Sequence, residues 1–418
     1  MDEEICIVGL GYVGLPLLTQ SISQGLEVKG YDIDSSKISS LKNGESPIDE
    51  ERLHREVEEY VEPGHVSQEE EVLEGRDYYV ITVPTPVEGK EPNYEYVKSA
   101  SETVSNYLSE GSTVVLESTV APGTCRKVVR PILEESGYEV GEDIHLAFCP
   151  ERVDPGNEKW TIRNIPRVLG AYSDRGREKA REFYDNALEA DIFEASSLEV
   201  AEASKVTENA FRDINIAYAN ELAKTFDSIG VDAKEVIEAA DTKPFGFMAH
   251  YPGAGVGGHC IPVDPYFLIK ESQDAGHDPQ LLSKAREINE SMPEYTVQKV
   301  MKGLNQDEKP VKNSEIALLG LAYKGGVDDK RRSPALEIKQ KLQDLGGDVL
   351  VYDPYLPEDS DLESLEEVLD SDCILIATDH QEFLELGGKD LTDVSCVVDG
   401  RNMLDEERIQ TRYYGIGN

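Results

Sequence analysis

One cysteine stands in a segment whose composition suits chemistry better than packing. Cys260 follows the glycine-rich run PGAGVGG, with His259 beside it and Asp264 a few residues further on. Glycines let a backbone wrap closely around a ligand, which would leave this thiol accessible rather than buried. We therefore expect Cys260 to be a nucleophile with acid–base groups at hand. A metal site is the competing interpretation, but one Cys and one His are too few ligands, so we expect no metal.

A long helical pattern carries a polar stripe that could serve the same chemistry. The helical pattern begins at a capping box opened by Ser196 and continues without Pro or Gly to Gly230. Lys205, Asn209 and Arg212 recur at spacings of four and three residues, which places them along one face of a helix. The alternative for these three is an ordinary solvated face. The opposite face predicts packing, through Val206, Phe211, Ile214, Tyr218 and Leu222.

A glycine-rich turn near the N-terminus has the pattern of a dinucleotide site. Gly9, Gly11 and Gly14 follow an apolar strand and open a helix, so backbone N–H groups can face a pyrophosphate. Asp32 ends the next strand about 20 residues on, where its carboxylate would bind ribose hydroxyls and repel a 2′-phosphate. We therefore expect NAD rather than NADP, the alternative being a glycine turn without a ligand. Together with two further strand ends, the expected NAD contacts are Gly9, Gly11, Tyr12, Val13, Gly14, Asp32, Lys37, Pro84, Thr85 and Thr119.

A cluster of basic residues follows a strand in the C-terminal half. The segment AYKGGVDDKRRSPA brings Lys324, Lys330, Arg331 and Arg332 together in a chain whose formal net charge is −42. After a strand of an α/β domain, such clustering favours an anionic ligand such as a diphosphate. A local ion-pair network with the two aspartates of the segment is the alternative.

The charge balance excludes several classes of protein. The 418 residues include 83 Asp and Glu against 41 Lys and Arg, which argues against binding to nucleic acid or anionic membranes. Acidic and apolar residues are interleaved, so we expect a folded chain with an acidic surface that salt stabilises. The six cysteines form no CxxC pair, no apolar run reaches the length of a membrane span, and the N-terminus lacks a basic signal region. We expect a cytoplasmic protein.

Apolar runs alternate with amphipathic helical patterns in both halves of the chain. Such alternation predicts parallel sheets covered by helices, with ligands at the carboxyl ends of the strands. The expected fold class is α/β, with two Rossmann-like doubly wound domains joined by a long central helix and a helical dimerisation region. The expected domains are 1–195 for NAD binding, 196–302 for the central region with the cysteine loop, and 303–418 for the C-terminal α/β domain. Helices are expected, among others, at 281–302 and 362–369, and a further strand of the same series at 167–170.

Taken together and in their order along the chain, the motifs resemble the UDP-glucose/GDP-mannose dehydrogenase family of NAD-dependent nucleotide-sugar 6-dehydrogenases. The resemblance covers nearly the whole chain: GLGYVGLP at 9–16, VPTP at 83–86, ESTVAPGT at 117–124, FCPERVDPGN at 148–157, SKVTENAFRDINIAYANE at 204–221, GGHCIPVDP at 257–265, GLAYK at 320–324 and SPA at 333–335. Within the family, the chain looks like the branch that acts on UDP-N-acetylhexosamines. UDP-glucose enzymes typically carry a Phe-Leu pair where this chain has Arg152-Val153.

The resemblance implies a four-electron oxidation of the sugar C6 hydroxymethyl to a carboxylate, with two NAD⁺ used in turn. Cys260 would form first a thiohemiacetal and then a thioester. Lys205 would stabilise the oxyanion, and Asp264 would help to activate the hydrolytic water. The residues implied in catalysis are Cys260, Lys205, Asn209, Asp264, Glu151 and Thr119.

The resemblance also implies binding functions outside the reacting centre. The C-terminal domain would bind the UDP moiety, Arg331 would close over the cofactor, and the central helix would form a homodimer. Some positions depart from the family pattern: Gly325-Gly326 replace Pro-Asn, and Arg332 replaces a Glu. Pro155 replaces the second Glu of UDP-glucose enzymes. The implied substrate contacts are Arg152, Lys205, Asn209, Arg212, Tyr251, Gly257 and Lys324.

Other functions stay open on the sequence alone. The same chemistry on UDP-glucose is one alternative, and neither epimer, UDP-N-acetylmannosamine or UDP-N-acetylglucosamine, is singled out. A two-electron hydroxyacid dehydrogenase would share the glycine turn and the long helix, but it needs neither Cys260 nor a second α/β domain. A catalytically silent NAD-binding sensor would bind the cofactor without turnover.

Overall fold

The computed structural model describes residues 3–154, 157 and 159–418, and the chain divides into two compact units. The first contains the residues up to Glu208 and Tyr266–Asp278, and the second contains Asn209–Pro265 and Pro279–Asn418. The expected α/β class with parallel sheets is confirmed in both units. The three domain boundaries expected from the sequence stay a prediction.

The first unit is built on an eight-stranded sheet with the order β10-β9-β8-β7-β4-β1-β2-β3. Strands such as ICIV and YYVI are apolar throughout and buried, as expected for a parallel sheet covered on both faces. Two further strands form a short antiparallel hairpin, β5 with β6. The bounds are β1 Ile5–Val8, β2 Val28–Tyr31, β3 Val66–Ser67, β4 Tyr78–Ile81, β5 Val87–Glu88, β6 Glu91–Pro92, β7 Thr113–Leu116, β8 His145–Phe148, β9 Arg167–Ala171 and β10 Ile192–Glu194.

Helices cover this sheet, and two apolar clusters fill the space between them and the strands. A π-helical turn, Cys125–Val129, precedes the fifth helix. The bounds are α1 Gly14–Ser23, α2 Ser35–Lys42, α3 Glu51–Tyr60, α4 Glu95–Ser105, α5 Arg130–Glu134 and α6 Asp174–Ala187.

The second unit contains a five-stranded sheet with the order β12-β11-β13-β14-β15, in which every paired strand is parallel. Its strands are β11 Glu315–Leu319, β12 Asp348–Tyr352, β13 Cys373–Ile376, β14 Cys396–Asp399 and β15 Arg412–Gly415. The remaining α-helices are α7 Leu198–Ile229, α8 Ala233–Asp241, α9 Asp264–Asp274, α10 Gln280–Glu290, α11 Met292–Asn305 and α12 Pro334–Asp344. The 32-residue α7 starts in the first unit and ends in the second, which confirms the long central helix.

Some local predictions are wrong. The strand at 167–170 runs antiparallel to β8, since the described residues between the two strands contain no crossover helix. The helix predicted at 281–302 is two helices that meet at Ser291, because Pro293 starts a new first turn. The segment 362–369 contains no α-helix, only the start of a 3₁₀ turn. At the start of α7, the hydroxyl that accepts the Val200 N–H belongs to Ser197 instead of Ser196.

Among the helices of the described residues, none combines the length and the apolar character that crossing a bilayer requires.

Candidate functional site

The glycine turn after β1 is shaped by close packing on one side and open space on the other. Gly9 has a φ of +96°, a conformation that favours glycine. A Cβ at Gly14 would collide with the carbonyl oxygen of Gly9 and the hydroxyl of Thr82. A Cβ at Gly11 would meet nothing within 4 Å. The turn therefore packs tightly against the sheet while leaving Gly11 room for a ligand, as a pyrophosphate at the start of α1 requires.

Asp32 lies buried beside this turn, at the end of β2. Its Oδ2 accepts the backbone N–H of Leu10 at 2.7 Å, and its Oδ1 accepts that of Asp34 at 2.9 Å. Lys37, whose side chain is 33% exposed, places its Nζ 3.2 Å from the same Oδ2. The carboxylate is thus fixed where the sequence expects a ribose to bind, with the partly exposed ammonium of Lys37 as its neighbour. The arrangement fits NAD.

Two further loops are fastened to the glycine turn. The hydroxyl of Thr82 donates to the carbonyl of Gly9 at 2.6 Å, and that of Ser118 donates to the carbonyl of Val83 at 2.7 Å. Pro84 and Thr85 follow directly after Val83, and Thr119 follows directly after Ser118. The structure therefore brings the expected cofactor loops to one edge of the sheet, with Thr119 partly exposed there.

Glu202 of α7 is a residue that the sequence analysis did not identify. It is fully buried, and its carboxylate accepts the backbone N–H groups of Cys125, at 2.8 Å, and of Gly123. A third N–H of this loop, that of Ala121, donates to the hydroxyl of Tyr94 at 3.1 Å. Burial raises the pKa of Glu202, against the effect of the two N–H donors. Glu202 therefore ties the loop after Thr119 to the helix that carries Lys205.

Arg152, expected to contact the substrate, is held within the first unit. Its Nε and Nη2 donate to the two carboxylate oxygens of Glu208 at 3.0 and 2.7 Å, and its Nη1 donates to the carbonyl of Pro166 at 2.8 Å. The neighbouring Glu151 accepts the backbone N–H of Val153. The bidentate pair thus fastens the Glu151 segment to α7. Pro155 lies outside the described residues.

A second group that the sequence analysis missed is the fully buried Arg167 at the start of β9. Its Nη1 lies 3.5 Å from Glu117 Oε2 and 3.9 Å from Glu151 Oε1, and it donates to the carbonyl of Pro150 at 3.3 Å. The hydroxyl of Tyr184 donates to Glu117. Burial raises the pKa of Glu117, against the attraction of Arg167. One buried guanidinium therefore faces two carboxylates, one of which is the expected catalytic Glu151.

The polar stripe of α7 is only partly a solvated face. Lys205 and Asn209, one turn apart, are 9% and 8% exposed, whereas Arg212 is exposed. On the other side, Val206 is buried, but Phe211 and Tyr218 are 47% and 57% exposed. The expectation that this side is a packing face stays a prediction for these two aromatic residues, which the single chain leaves exposed.

Cys260 lies at the surface of the second unit, while the other five cysteines are buried. The glycines before it are needed for close packing, since a Cβ at Gly257 or Gly258 would lie 2.8 or 2.9 Å from the side chain of Tyr323. The Gly258 N–H donates to the carbonyl of Arg331 at 3.1 Å. The loop is therefore pinned to the basic segment by its backbone, and the thiol is left accessible as expected.

Asp264 and Asn209 form the tightest polar contact beside this loop. The Asn209 Nδ2 donates to Asp264 Oδ2 at 2.6 Å, and Asp264 is 3% exposed. The Asp264 N–H donates to the carbonyl of Cys260 at 2.8 Å, so the first residue of α9 is hydrogen-bonded to the backbone of Cys260. The structure thus joins three expected catalytic residues through two short hydrogen bonds. Tyr251, of the same glycine-rich segment, is 49% exposed.

The basic segment after β11 forms ion pairs of its own. Arg331 donates to both carboxylate oxygens of Asp329, with its Nη2 at 2.6 Å from Oδ2, and Lys330 pairs with Asp359. Lys324 is partly exposed. The local ion-pair network with the segment's own aspartates, weighed from the sequence, is therefore present for Arg331, whereas Lys330 pairs with Asp359 outside the segment. Within residues 3–154, 157 and 159–418, no group of three or more His, Cys, Asp or Glu is placed to hold a metal ion.

Three family models match successive parts of the chain. They are the NAD binding domain, the central domain and the UDP binding domain of the UDP-glucose/GDP-mannose dehydrogenase family, over residues 3–188, 199–291 and 317–406. The glycine turn falls in the first, Cys260 in the second and Lys324 in the third.

Known proteins resemble the chain over almost its full length. The UDP-N-acetyl-D-mannosamine dehydrogenase of Pyrococcus horikoshii is 37% identical over 99% of each chain, and its solved structure superposes with a TM-score of 0.93. The UDP-N-acetyl-D-glucosamine 6-dehydrogenase of Salmonella typhi is 35% identical, over 94% of this chain and 93% of that protein. The structure of a UDP-glucose dehydrogenase from Pyrobaculum islandicum is 27% identical over 100% of this chain and 98% of that one, with a TM-score of 0.86.

Proposed function

Because the chain belongs to the UDP-glucose/GDP-mannose dehydrogenase family, it is an NAD-dependent nucleotide-sugar dehydrogenase, and we propose that its substrate is a UDP-N-acetylhexosamine. The product is the corresponding uronate, formed by oxidation of C6 in two steps. The observation that carries the proposal is the exposed Cys260 joined by its backbone to the buried Asn209–Asp264 pair. A two-electron dehydrogenase has no use for such a nucleophile.

The first step converts the C6 hydroxymethyl to an aldehyde. NAD⁺, which the glycine turn and Asp32 would hold, would supply the acceptor for the hydride that leaves C6, and the hydroxyl proton would pass to a base of the chain. We assign two roles in this step to Lys205, Glu151 and Thr119: accepting the hydroxyl proton and binding the oxygen that loses it. Lys205 and Glu151 are nearly buried, and a partly desolvated charge acts more strongly on a developing oxyanion than an exposed one would.

Cys260 carries the second step. Its thiolate adds to the aldehyde carbon and gives a thiohemiacetal, whose oxygen Lys205 stabilises. Loss of a second hydride from the same carbon, for which a second NAD⁺ would supply the acceptor, leaves a thioester. Asn209 is held at 2.6 Å from Asp264, so one of its amide N–H bonds has a fixed direction and the other is free to face the sugar oxygen.

Hydrolysis returns the enzyme to its starting state. Asp264 takes a proton from water, the hydroxide attacks the thioester carbon, and the sulfur leaves as the thiolate of Cys260, while Asp264 and the new carboxylic acid release their protons to solvent. Its burial and its hydrogen bond with Asn209 orient the carboxylate for this role. The thiol chemistry requires a reducing compartment, so we place the enzyme in the cytoplasm.

We assign a different ligand to each of the two compact units. NAD contacts are assigned to the glycine turn, Asp32 and the loops of Thr85 and Thr119, and the UDP moiety to Lys324. The named relatives favour an acetylated sugar over UDP-glucose, because the acetylhexosamine enzymes are the more similar ones. Exposed Phe211 and Tyr218 support a homodimer formed through α7.

The test measures NADH formed per sugar with UDP-N-acetylmannosamine, UDP-N-acetylglucosamine and UDP-glucose supplied separately. We expect two NADH per sugar on one acetylated substrate, and no uronate from a Cys260→Ala variant. Cys149→Ala, at a buried cysteine of the first unit, is the control for loss of a thiol. One NADH per sugar with Cys260 dispensable would overturn the thioester mechanism. NAD binding without any turnover would indicate a sensor.

A further inference from the structure

The segment Gly320–Gly326, which carries Lys324, is fastened by three consecutive side chains that follow β13. The hydroxyl of Thr378 donates to the carbonyl of Ala322 at 2.6 Å. The next two residues accept backbone N–H groups: Asp379 Oδ1 that of Gly325 at 3.2 Å, and His380 Nδ1 that of Gly326 at 3.1 Å. We call Thr378, Asp379 and His380 the clamp. Successive backbone groups of the segment on both sides of Lys324 are thus bound to one stretch of chain.

The hydrogen bonds of His380 assign its tautomer. Because Nδ1 accepts the Gly326 N–H, the ring proton of the neutral imidazole lies on Nε2. Nε2 lies 3.3 Å from Asp353 Oδ2 and donates to it. His380 is fully buried, so both contacts are shielded from water. The imidazole therefore bridges the end of the segment and the carboxylate at the end of β12.

Asp353 binds the beginning of the same segment directly. Its Oδ2 accepts the N–H groups of Leu321 at 2.7 Å and Ala322 at 3.0 Å, and its Oδ1 accepts that of Tyr355 at 2.9 Å. Asp353 is 1% exposed. Its hydrogen bonds, led by the one from His380, outweigh its burial and lower its pKa, so the carboxylate stays ionised. The buried carboxylate of Asp353 thus binds the beginning of the segment directly and the end of the segment through His380.

Aromatic packing fixes the imidazole ring. Tyr355 stacks on His380 with ring centroids 4.7 Å apart and an interplanar angle of 17°, and Phe383 meets it edge-on at 5.3 Å. The segment also packs closely against the clamp, because a Cβ at Gly325 would lie 2.8 Å from the backbone carbonyl carbon of Asp379. The Gly-Gly pair that departs from the family pattern is therefore what lets the segment lie against the clamp.

We propose that His380 is a positioning residue that sets the Lys324 ammonium for the diphosphate of the UDP-sugar. The proposal rests on the proposed function, which assigns UDP binding to Lys324. Lysine meets a phosphate as a point charge on a flexible stem, so its contribution depends on where its backbone is held. Gly326 is two residues from Lys324, and its hydrogen bond with His380 is the last contact of the clamp.

A matched pair of variants separates the two contacts of the ring. In His380→Asn, the amide oxygen can take the place of Nδ1 and accept the Gly326 N–H. In His380→Gln, the longer side chain can replace Nε2 and reach Asp353 instead. His380→Leu removes both contacts, and Thr378→Val removes only the hydroxyl bound to Ala322 while keeping the size of the side chain. Phe383→Leu alters packing on the same ring without touching a hydrogen bond, and serves as the control.

The measurement is calorimetric titration of the full chain with UDP alone and with NAD⁺ alone, together with kcat and KM for the UDP-sugar. We expect His380→Gln to weaken UDP binding by about tenfold, the loss of one well-formed buried hydrogen bond, and His380→Leu, which removes both contacts, to weaken it at least as much. His380→Asn should recover most of that affinity. NAD⁺ affinity and kcat at saturating UDP-sugar should stay within about twofold, so the loss appears in KM.

Three results would overturn the proposal. Equal UDP affinity in the wild type, His380→Asn and His380→Gln would show that the ring's contacts do not matter for the ligand. An equal loss in Phe383→Leu would show that only packing counts. If His380→Leu does not fold, His380→Gln applies the same test, since unchanged UDP affinity there would contradict a role for the hydrogen bond between His380 and Gly326. Failure of the wild type to bind UDP would instead overturn the proposed function, and this inference with it.

Discussion

The amide of Asn209 donates to the carboxylate of Asp264 at 2.6 Å, and fewer than a tenth of either residue's surface is exposed. The two are 55 residues apart in sequence, one on α7 and the other at the first position of α9. A neutral donor held this closely fixes the direction of the carboxylate's lone pairs. That orientation supports the proposed role of Asp264 in accepting a proton from water.

Replacing Asp264 should therefore block the last step and spare the earlier ones. In Asp264→Asn, we expect kcat to fall by about 100-fold or more, because water loses its base. The enzyme should release a burst of two NADH per subunit and retain the sugar as a thioester on Cys260. Intact-protein mass spectrometry and rapid-mixing absorbance check these results. Asp274→Asn, at the other end of α9, is the control, and absence of the covalent adduct would contradict the assignment.

Glu202 should be important for stability as well as for the Thr119 loop. Its carboxylate accepts N–H groups from Gly123 and Cys125, and an amide in Glu202→Gln can accept only one of them. A buried N–H left without an acceptor costs about 1–3 kcal/mol, which urea unfolding would measure. Glu199→Gln, one turn earlier and in a surface pair with Arg126, should cost less than about 1 kcal/mol. Equal costs in the two variants would contradict the role assigned to Glu202.

Motif spacing predicted those site residues whose placement depends on residues near them in the sequence. Cys260 is exposed because the glycines around it pack against Tyr323, which the glycine-rich pattern indicated. Asp32 lies where the distance from the glycine turn predicted it. Lys205 and Asn209 share a face of α7, as their spacing of one helical turn required.

The residues that hold the site could not be found in this way. Glu202 binds Gly123, 79 residues away, and Arg167 meets Glu117 across neighbouring parts of the sheet. An acid within a helix and an arginine at the start of a strand look like surface residues when only local periodicity is considered. The one available signal was that both lie inside apolar stretches, where a charge must have a partner. For Phe211 and Tyr218, the apolar helix face predicts packing but does not state which surface covers it, and the single chain leaves both side chains exposed.

The pH dependence of stability tests the burial of Glu117. Burial raises the pKa of Glu117 above its ordinary value of 4.5, so the folded protein holds this proton at pH values where the unfolded chain releases it. This carboxyl therefore makes the folded state less stable as pH rises above about 4.5. In Glu117→Gln that loss is absent, so the variant should gain stability relative to wild type between pH 4 and pH 7. Urea unfolding at both pH values measures the difference.

Glu199 supplies a control of opposite sign. Its hydrogen bond with Arg126 lowers its pKa, so its contribution is present above its unfolded pKa and is lost as pH falls. Glu199→Gln should therefore become less stable relative to wild type between pH 4 and pH 7, although by a small amount because the pair is partly exposed. The same sign of change in both variants would contradict the burial argument.

The acidic surface predicts a stability that increases with salt. With a net charge of −42, mutual repulsion among carboxylates opposes folding, and its range falls from about 10 Å in 0.1 M salt to about 3 Å in 1 M. We expect the Tm to rise from 0.1 to 1 M KCl, and choline chloride to act similarly because screening depends on ionic strength. Replacing the exposed Glu69 and Glu71 by Gln should raise the Tm at low salt and reduce its dependence on KCl. A Tm that stays constant or falls with KCl would show that repulsion between these charges is not what limits stability.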